Sequence, residues 1–262
     1  MNTVKAPAFF ISHGSPMMAV EKSKTSLFLQ QLGLSLTRPK AIVVFSAHFD
    51  NARDIVISGG QSPNTIHDFY GFPDELYDIE YNAPGSPALA DKIAVLFTQQ
   101  GLNPVVDRER GWDHGVWIPL RLMYPDADIP VVAISINSGL GAKVNYQYGQ
   151  ILAPLREQGV MIIGSGGISH NLREVFSSAP SVNRVARVKT FTTWVKDKLA
   201  AADIKALINY QNEAPDVFFN HPTQEHFIPL FAALGSSDFT FAKQIHTDIE
   251  YEILAMDAYQ FS

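Results

Sequence analysis

Four short stretches of the chain are apolar throughout, with no polar alternation: Ala8–Ile11, Ala41–Phe45, Val131–Ile134 and Val160–Ile163. A strand with one wet face alternates. Continuous runs of this length, rich in β-branched residues, predict strands buried on both faces, as in a parallel sheet. Helical patterns separate them. Ser86 is an N-cap followed by Pro87 at the first helical position, and Gly101 closes that helix. A second helix is predicted over Lys143–Gln158, ended by Gly159, and a third, the longest, over Val182–Ala202. Thr223 is expected to cap a fourth that runs to Leu234, ahead of Gly235. The tail reads differently: Phe239–Ile245 and Ile249–Phe261 are strand-like with no helix between them, so they should add antiparallel edges. The fold class expected is α/β: a mostly parallel central sheet flanked by helices, with antiparallel C-terminal edge strands. No repeat or Gly/Ser-rich linker interrupts the chain, so residues 1–262 are read as one domain.

Composition narrows the function. The 262 residues include no cysteine, which removes disulfide frameworks, thiolate zinc sites, iron–sulfur clusters and cysteine nucleophiles, and fits a reducing cytosol. Hydrophobic residues at 46% and charged residues at 18% describe a globular chain rather than a disordered one. The net charge of −6 comes without a Lys/Arg cluster, so nucleic acid is not an expected partner. The apolar start after Lys5 is broken by His13, Gly14 and Ser15, too short for a secretory segment, and no run approaches the ~18 residues of a membrane span. A soluble cytoplasmic protein, with no membrane partner, is the expectation.

The chemistry lies in the eight histidines. Three come shortly after strand-like runs: His13 after Ala8–Ile11, His48 after Ala41–Phe45, and His170 after Val160–Ile163 and a Gly164-Ser165-Gly166-Gly167 turn. In open α/β sheets, ligands bind beyond the carboxyl ends of the strands, so three imidazoles there would meet in one crevice. Neutral imidazole is the common protein ligand for a transition metal, and without cysteine it is the natural one. A lone histidine is more often an ordinary hydrogen-bonded residue. The shared position, not the residue type, raises these three. Spacing alone supplies no metal motif, no Walker loop and no nucleophile elbow.

His226 is the next candidate, with Glu225 beside it as another potential ligand. His114 lies in an aromatic loop, Trp112-Asp113-His114-Gly115-Val116-Trp117. Aromatic walls suit a planar substrate, though tryptophan there is also ordinary packing. His67 is read as a loop histidine partnered by Asp68, and His221 and His246 as surface residues.

At these residues the sequence resembles the 4,5-DOPA extradiol dioxygenase family, within the class III extradiol ring-cleaving dioxygenases. The matching segments include Ser12-His13-Gly14-Ser15-Pro16, Ser46-Ala47-His48, Thr65-Ile66-His67-Asp68-Phe69, Asp113-His114-Gly115-Val116-Trp117, Gly164-Ser165-Gly166, His170-Asn171-Leu172 and Pro222-Thr223-Gln224-Glu225-His226. They span about residues 8 to 235. The resemblance implies a metal at His13, His48 and His226, with His170 either a further ligand or an acid/base, and His114 a catalytic residue. The wider class commonly uses two histidines and a glutamate, whereas here His226 stands at the third position. With Thr223 as N-cap, Glu225 and His226 would sit about 100° apart around a helix. Glu225 is then expected to serve the helix dipole and His226 the metal.

The implied reaction is extradiol cleavage of a DOPA-like catechol by O₂, with Fe(II) as the catalytic metal and Zn(II) an ion that an all-histidine site also takes up. Two other readings stay open: a non-catalytic zinc-binding interaction protein on the same scaffold, and a zinc hydrolase.

Overall fold

The computed structural model describes residues 5–240 and 242–262; residues 1–4 of the expected domain, and Phe241 within the expected strand Phe239–Ile245, lie outside the described residues. The strands are β1 (Ala8–Ser12), β2 (Ala41–Asp50), β3 (Ile55–Ser58), β4 (Pro104–Asp107), β5 (Val131–Ile136), β6 (Val160–Gly166), β7 (Ala242–His246), β8 (Ile249–Glu250), β9 (Leu254–Ala255) and β10 (Ala258–Phe261). The helices are α1 (Lys24–Ser35), α2 (Pro87–Gln99), α3 (His114–Met123), α4 (Gly141–Leu152), α5 (Leu172–Val175) and α6 (Arg184–Ala200). Four shorter ones follow: α7 (Ile204–Ile208), α8 (Tyr210–Glu213), α9 (Val217–Asn220) and α10 (Pro229–Gly235).

Among the described residues, one sheet has the order β4-β3-β5-β2-β6-β1-β10-β7, and β8 and β9 form a small separate antiparallel pair. The four continuous apolar runs form its parallel centre, β5-β2-β6-β1. Every residue of β1, β5 and β6 is buried. Each fully buried Val, Ile or Phe there contributes about 1.5–3 kcal/mol. The antiparallel tail is present: β10 pairs with β1, and β7 with β10. The expected strand Ile249–Phe261 is, however, broken into β8, β9 and β10. Tyr251 and Glu252 take positive φ in a tight turn that a continuous strand could not contain. None of the helices in the described residues is long and apolar enough to cross a membrane.

The expected helix from Thr223 does not form. Only α10 is helical there, starting at Pro229, whose fixed φ and missing N–H suit a first position. The Thr223 hydroxyl donates to Glu225 Oε1 at 3.0 Å instead of accepting a helix N–H. Residues 224–228 make a turn, with the N–H groups of Phe227 and Ile228 both on the Gln224 carbonyl.

Two features position the site. The register places Ser12 beside Gly166 and Ser46 beside Ser165, so the carboxyl ends of β1, β6 and β2 lie side by side. β6 also ends in glycines because another chain segment lies directly on it. A Cβ on Gly164 would stand 2.1 Å from the Pro229 carbonyl oxygen, and one on Gly166 2.1 Å from that of His226. Only a residue without a side chain lets the 226–229 turn approach so closely.

Candidate metal centre

Five histidines gather over the carboxyl ends of β1, β2 and β6. His13 follows β1 directly, its N–H on the Gly166 carbonyl. His48 is not past a strand end but inside β2, where the pairing with β5 slips between Ser46 and Asp50. Such a bulge re-aims a side chain that regular pleating would send elsewhere. His226 rides on the turn over β6, its carbonyl held by the Gly167 N–H at 2.9 Å. His114 is the first residue of α3 rather than a loop residue, with Asp113 before it. His170 lies four residues beyond β6.

Three ring nitrogens converge. His13 Nε2 and His48 Nε2 are 3.1 Å apart, and His48 Nε2 and His226 Nε2 3.3 Å. The opposite nitrogen of each ring faces an oxygen. The Ser165 hydroxyl donates to the Gly115 carbonyl, so its oxygen accepts from His13 Nδ1–H at 3.0 Å. Glu225 Oε1 accepts from His226 Nδ1–H at 3.0 Å, and the Asp68 carboxylate stands close to His48, its Oδ2 3.3 Å from Nδ1 as a charge contact. With the proton on Nδ1, each Nε2 carries a bare lone pair facing the others. That arrangement is repulsive unless a cation stands among them. Donors about 2.0–2.1 Å from one ion are about 3.3–3.4 Å apart at a tetrahedral angle and about 2.8–3.0 Å at a right angle, which brackets the observed spacings. The donor set therefore fits a divalent transition metal, and the three Nδ1 partners are of the kind that orient metal-bound histidines.

Electrostatics keeps these rings neutral. Burial, reinforced by neighbouring histidines, holds His13 and His226 well below the ordinary 6.5. Burial first, then the charges of His114 and other neighbours, brings His48 down to about 3 against a raising contribution from Asp68. Asp68 itself would be raised by burial, but the hydrogen bond and charge of His114, with His48, take it down to about 2.

Glu225 lies behind His226, on its Nδ1 side. Sequence reasoning assigned it to a helix dipole; with no helix there, its carboxylate orients the ring instead. His170 stacks face to face on His226, ring centroids 3.4 Å apart and planes 8° from parallel. An imidazole lone pair lies in the ring plane. An ion in the plane of His226 would thus stand about 3.4 Å outside that of His170. Burial, then the His114 charge, brings His170 down to about 4. His114 donates both its backbone N–H and Nδ1–H to Asp68 Oδ1, each at 2.9 Å. Its Nε2 is left open, and its ring lies 3.9 Å from that of His48 and 5.3 Å from that of His13.

The remaining expectations need correcting. His67 does not pair with Asp68: its Nε2–H donates to the Ile79 carbonyl, because neighbouring side chains on extended backbone point apart. His221 is not on the surface but 3% exposed, its Nε2–H on the Ile168 carbonyl and its ring against Phe191 and Phe227. His246 is half-buried, stacked on Phe28 at 4.4 Å and bonded to Thr25 Oγ1. Trp112 and Trp117 are buried in the core, each Nε1–H on a backbone carbonyl. Ser165 and Asp68 were missed as supports. Both lay within segments singled out by the sequence, but a hydrogen bond between residues 152 positions apart leaves no local signal.

A family model described as the catalytic LigB subunit of aromatic ring-opening dioxygenase matches residues 7–261. Over 260 residues the chain is 40% identical to the 4,5-DOPA dioxygenase extradiol of Beta vulgaris, covering 97% of this chain and 96% of that one. To the 4,5-DOPA dioxygenase extradiol of Escherichia coli K12 it is 41% identical over 242 residues, 91% of this chain and 88% of that one. A crystal structure of an uncharacterized protein from E. coli K12 superposes with a TM-score of 0.80 at 35% identity, covering 98% of this chain and all of the other. With its converging imidazoles and a match over nearly its whole length, the chain belongs to the LigB family of aromatic ring-opening dioxygenases.

Proposed function

We propose that the protein opens a DOPA-like catechol ring beside the diol with O₂, using Fe(II) held by the Nε2 atoms of His13, His48 and His226. The observation that carries this is the convergence of three Nε2 atoms, with Nδ1–H donated to Ser165 by His13 and to Glu225 by His226, and His48 Nδ1 facing the Asp68 carboxylate. The names of the Beta vulgaris and E. coli relatives support DOPA as the substrate type. Iron is chosen over zinc because ring opening by O₂ needs a redox-active ion, and Zn²⁺ has no redox chemistry. When bound, the iron supplies a positive charge that acidifies a catechol hydroxyl, together with a site for O₂.

The chain's own residues do the rest. Asp68 holds the His114 Nδ1–H, so Nε2 is the nitrogen that takes the hydroxyl proton. His170, stacked on His226 and kept neutral by burial, is the second group placed to receive and return a proton. We assign it this role rather than that of a fourth ligand because its ring plane misses the ion that His226 would hold.

Anaerobic Fe(II) reconstitution followed by L-DOPA and air tests the reading. A yellow semialdehyde carrying both atoms of ¹⁸O₂ is expected. Reconstituted protein that consumes neither DOPA nor other catechols would overturn the enzymatic reading.

A further inference from the structure

Asp68 is a single carboxylate serving two histidines with different tasks. Its Oδ1 accepts the His114 backbone N–H and Nδ1–H, and its Oδ2 faces His48 Nδ1. An ionised carboxylate only accepts, so the bond to Oδ1 fixes the His114 proton on Nδ1, and the negative Oδ2 facing His48 favours a proton over a lone pair on its Nδ1. We propose that Asp68 is a positioning residue that sets both tautomers at once, making His48 Nε2 a metal donor and His114 Nε2 a proton acceptor. This rests on the roles given above to His48 and His114.

A purely structural alternative exists. Asp113 makes no side-chain cap bond to α3, and Asp68 supplies one from outside through the His114 N–H. Substitution separates the two. In Asp68→Asn the amide oxygen keeps both His114 bonds when it takes the place of Oδ1. The opposite orientation would set an NH₂ against two N–H donors. The NH₂ group then faces His48 Nδ1 and, as a donor, requires a lone pair there. The His48 proton moves to Nε2, among the atoms that bind metal. Asp68→Ala removes the cap, the His114 ring bond and the charge facing His48 but imposes no tautomer, and half-buried His48 can find water.

The test measures Zn(II) affinity by chelator competition in wild type, Asp68→Asn, Asp68→Ala and His48→Ala, with melting temperatures and imidazole ¹⁵N spectra of the metal-free proteins. Asp68→Asn should melt close to wild type, show His48 protonated at Nε2, and bind zinc about 10–100-fold more weakly. Asp68→Ala should melt lower yet bind zinc better than Asp68→Asn. A capping role alone gives the reverse order, with alanine worse in both measurements. Wild-type zinc affinity in Asp68→Asn, or weaker binding in Asp68→Ala than in Asp68→Asn, overturns the proposal. If His48→Ala also binds zinc as wild type does, the metal-site reading itself fails; if His48→Ala loses zinc while Asp68→Asn does not, only the tautomer proposal fails.

Discussion

Adding one methyl group at Gly166 should disable the metal centre without replacing any of its histidines. The Cβ would stand 2.1 Å from the His226 carbonyl oxygen. Relaxed carbon–oxygen contacts begin near 3.3 Å, so strand or turn must yield by about 1 Å. β6 is held on both sides, by β1 and β2, and is buried throughout. The turn bearing His226 therefore moves, and the bond from Gly167 N–H to the His226 carbonyl loosens with it. Metal–donor distances tolerate only about 0.2 Å. A shift several times larger removes one of three donors, for an expected loss of at least about 10-fold in affinity, the low end of what disturbed supports cause. Overpacking of this kind also costs about 1–3 kcal/mol. For a chain of this size that lowers the melting temperature by roughly 2–10 °C.

The control is Gly101→Ala. Gly101 follows α2 with φ +76°, and a Cβ there would meet no other atom within 4 Å. Alanine at this position carries backbone strain of about 1–2 kcal/mol but no clash near the site. The assay pairs thermal melts with Zn(II) or Fe(II) titration. Gly166→Ala should lose both stability and metal affinity, Gly101→Ala stability alone. Wild-type affinity in Gly166→Ala would refute the argument that close backbone packing sets the position of His226.

Other outcomes follow from the same geometry. His13→Ala should lose bound metal, whereas His114→Ala should keep it and lose turnover, as read by metal analysis beside single-turnover kinetics. Zinc-loaded protein should bind catechol but leave the ring intact, which product analysis under air checks. For pH, the sign follows from the buried imidazoles: His48 near 3, His170 near 4 and His221 near 3 stay neutral while an unfolded histidine protonates below about 6.5. The unfolded chain then binds more protons, so the metal-free protein should lose stability as pH falls from 6.5 towards 4, by roughly 1 kcal/mol per pH unit for each such residue. Denaturant melts across that range should show the decline; a flat profile would contradict the assigned neutral state.

How much was legible depended on how local each signal was. The parallel centre was readable because its four runs are apolar without interruption, and α2 because Ser86 and Pro87 mark its start. β3 and β4 were not read. Each has four residues, and β4 is only partly buried, so neither stands out by pattern. α1 was also missed, although Ser23 and Ser26 form a capping box there. At Thr223 a good capping residue misled, because its hydroxyl is taken by Glu225. The strand-end positions of His13 and His170, and the apolar run before His48, drew attention to the crevice where the five histidines gather. The bulge in β2, the stacking of His170 on His226 and the hub at Asp68 are products of tertiary packing, and no spacing encodes them.

The most direct test is an anaerobic crystal structure of the Fe(II)-loaded protein with a catechol bound, the iron located by its anomalous scattering. The expected density places iron about 2.0–2.2 Å from Nε2 of His13, His48 and His226, with a substrate hydroxyl about 2.6–3.2 Å from His114 Nε2. Iron coordinated by His170, by Glu225 or by an Nδ1 atom would contradict the account.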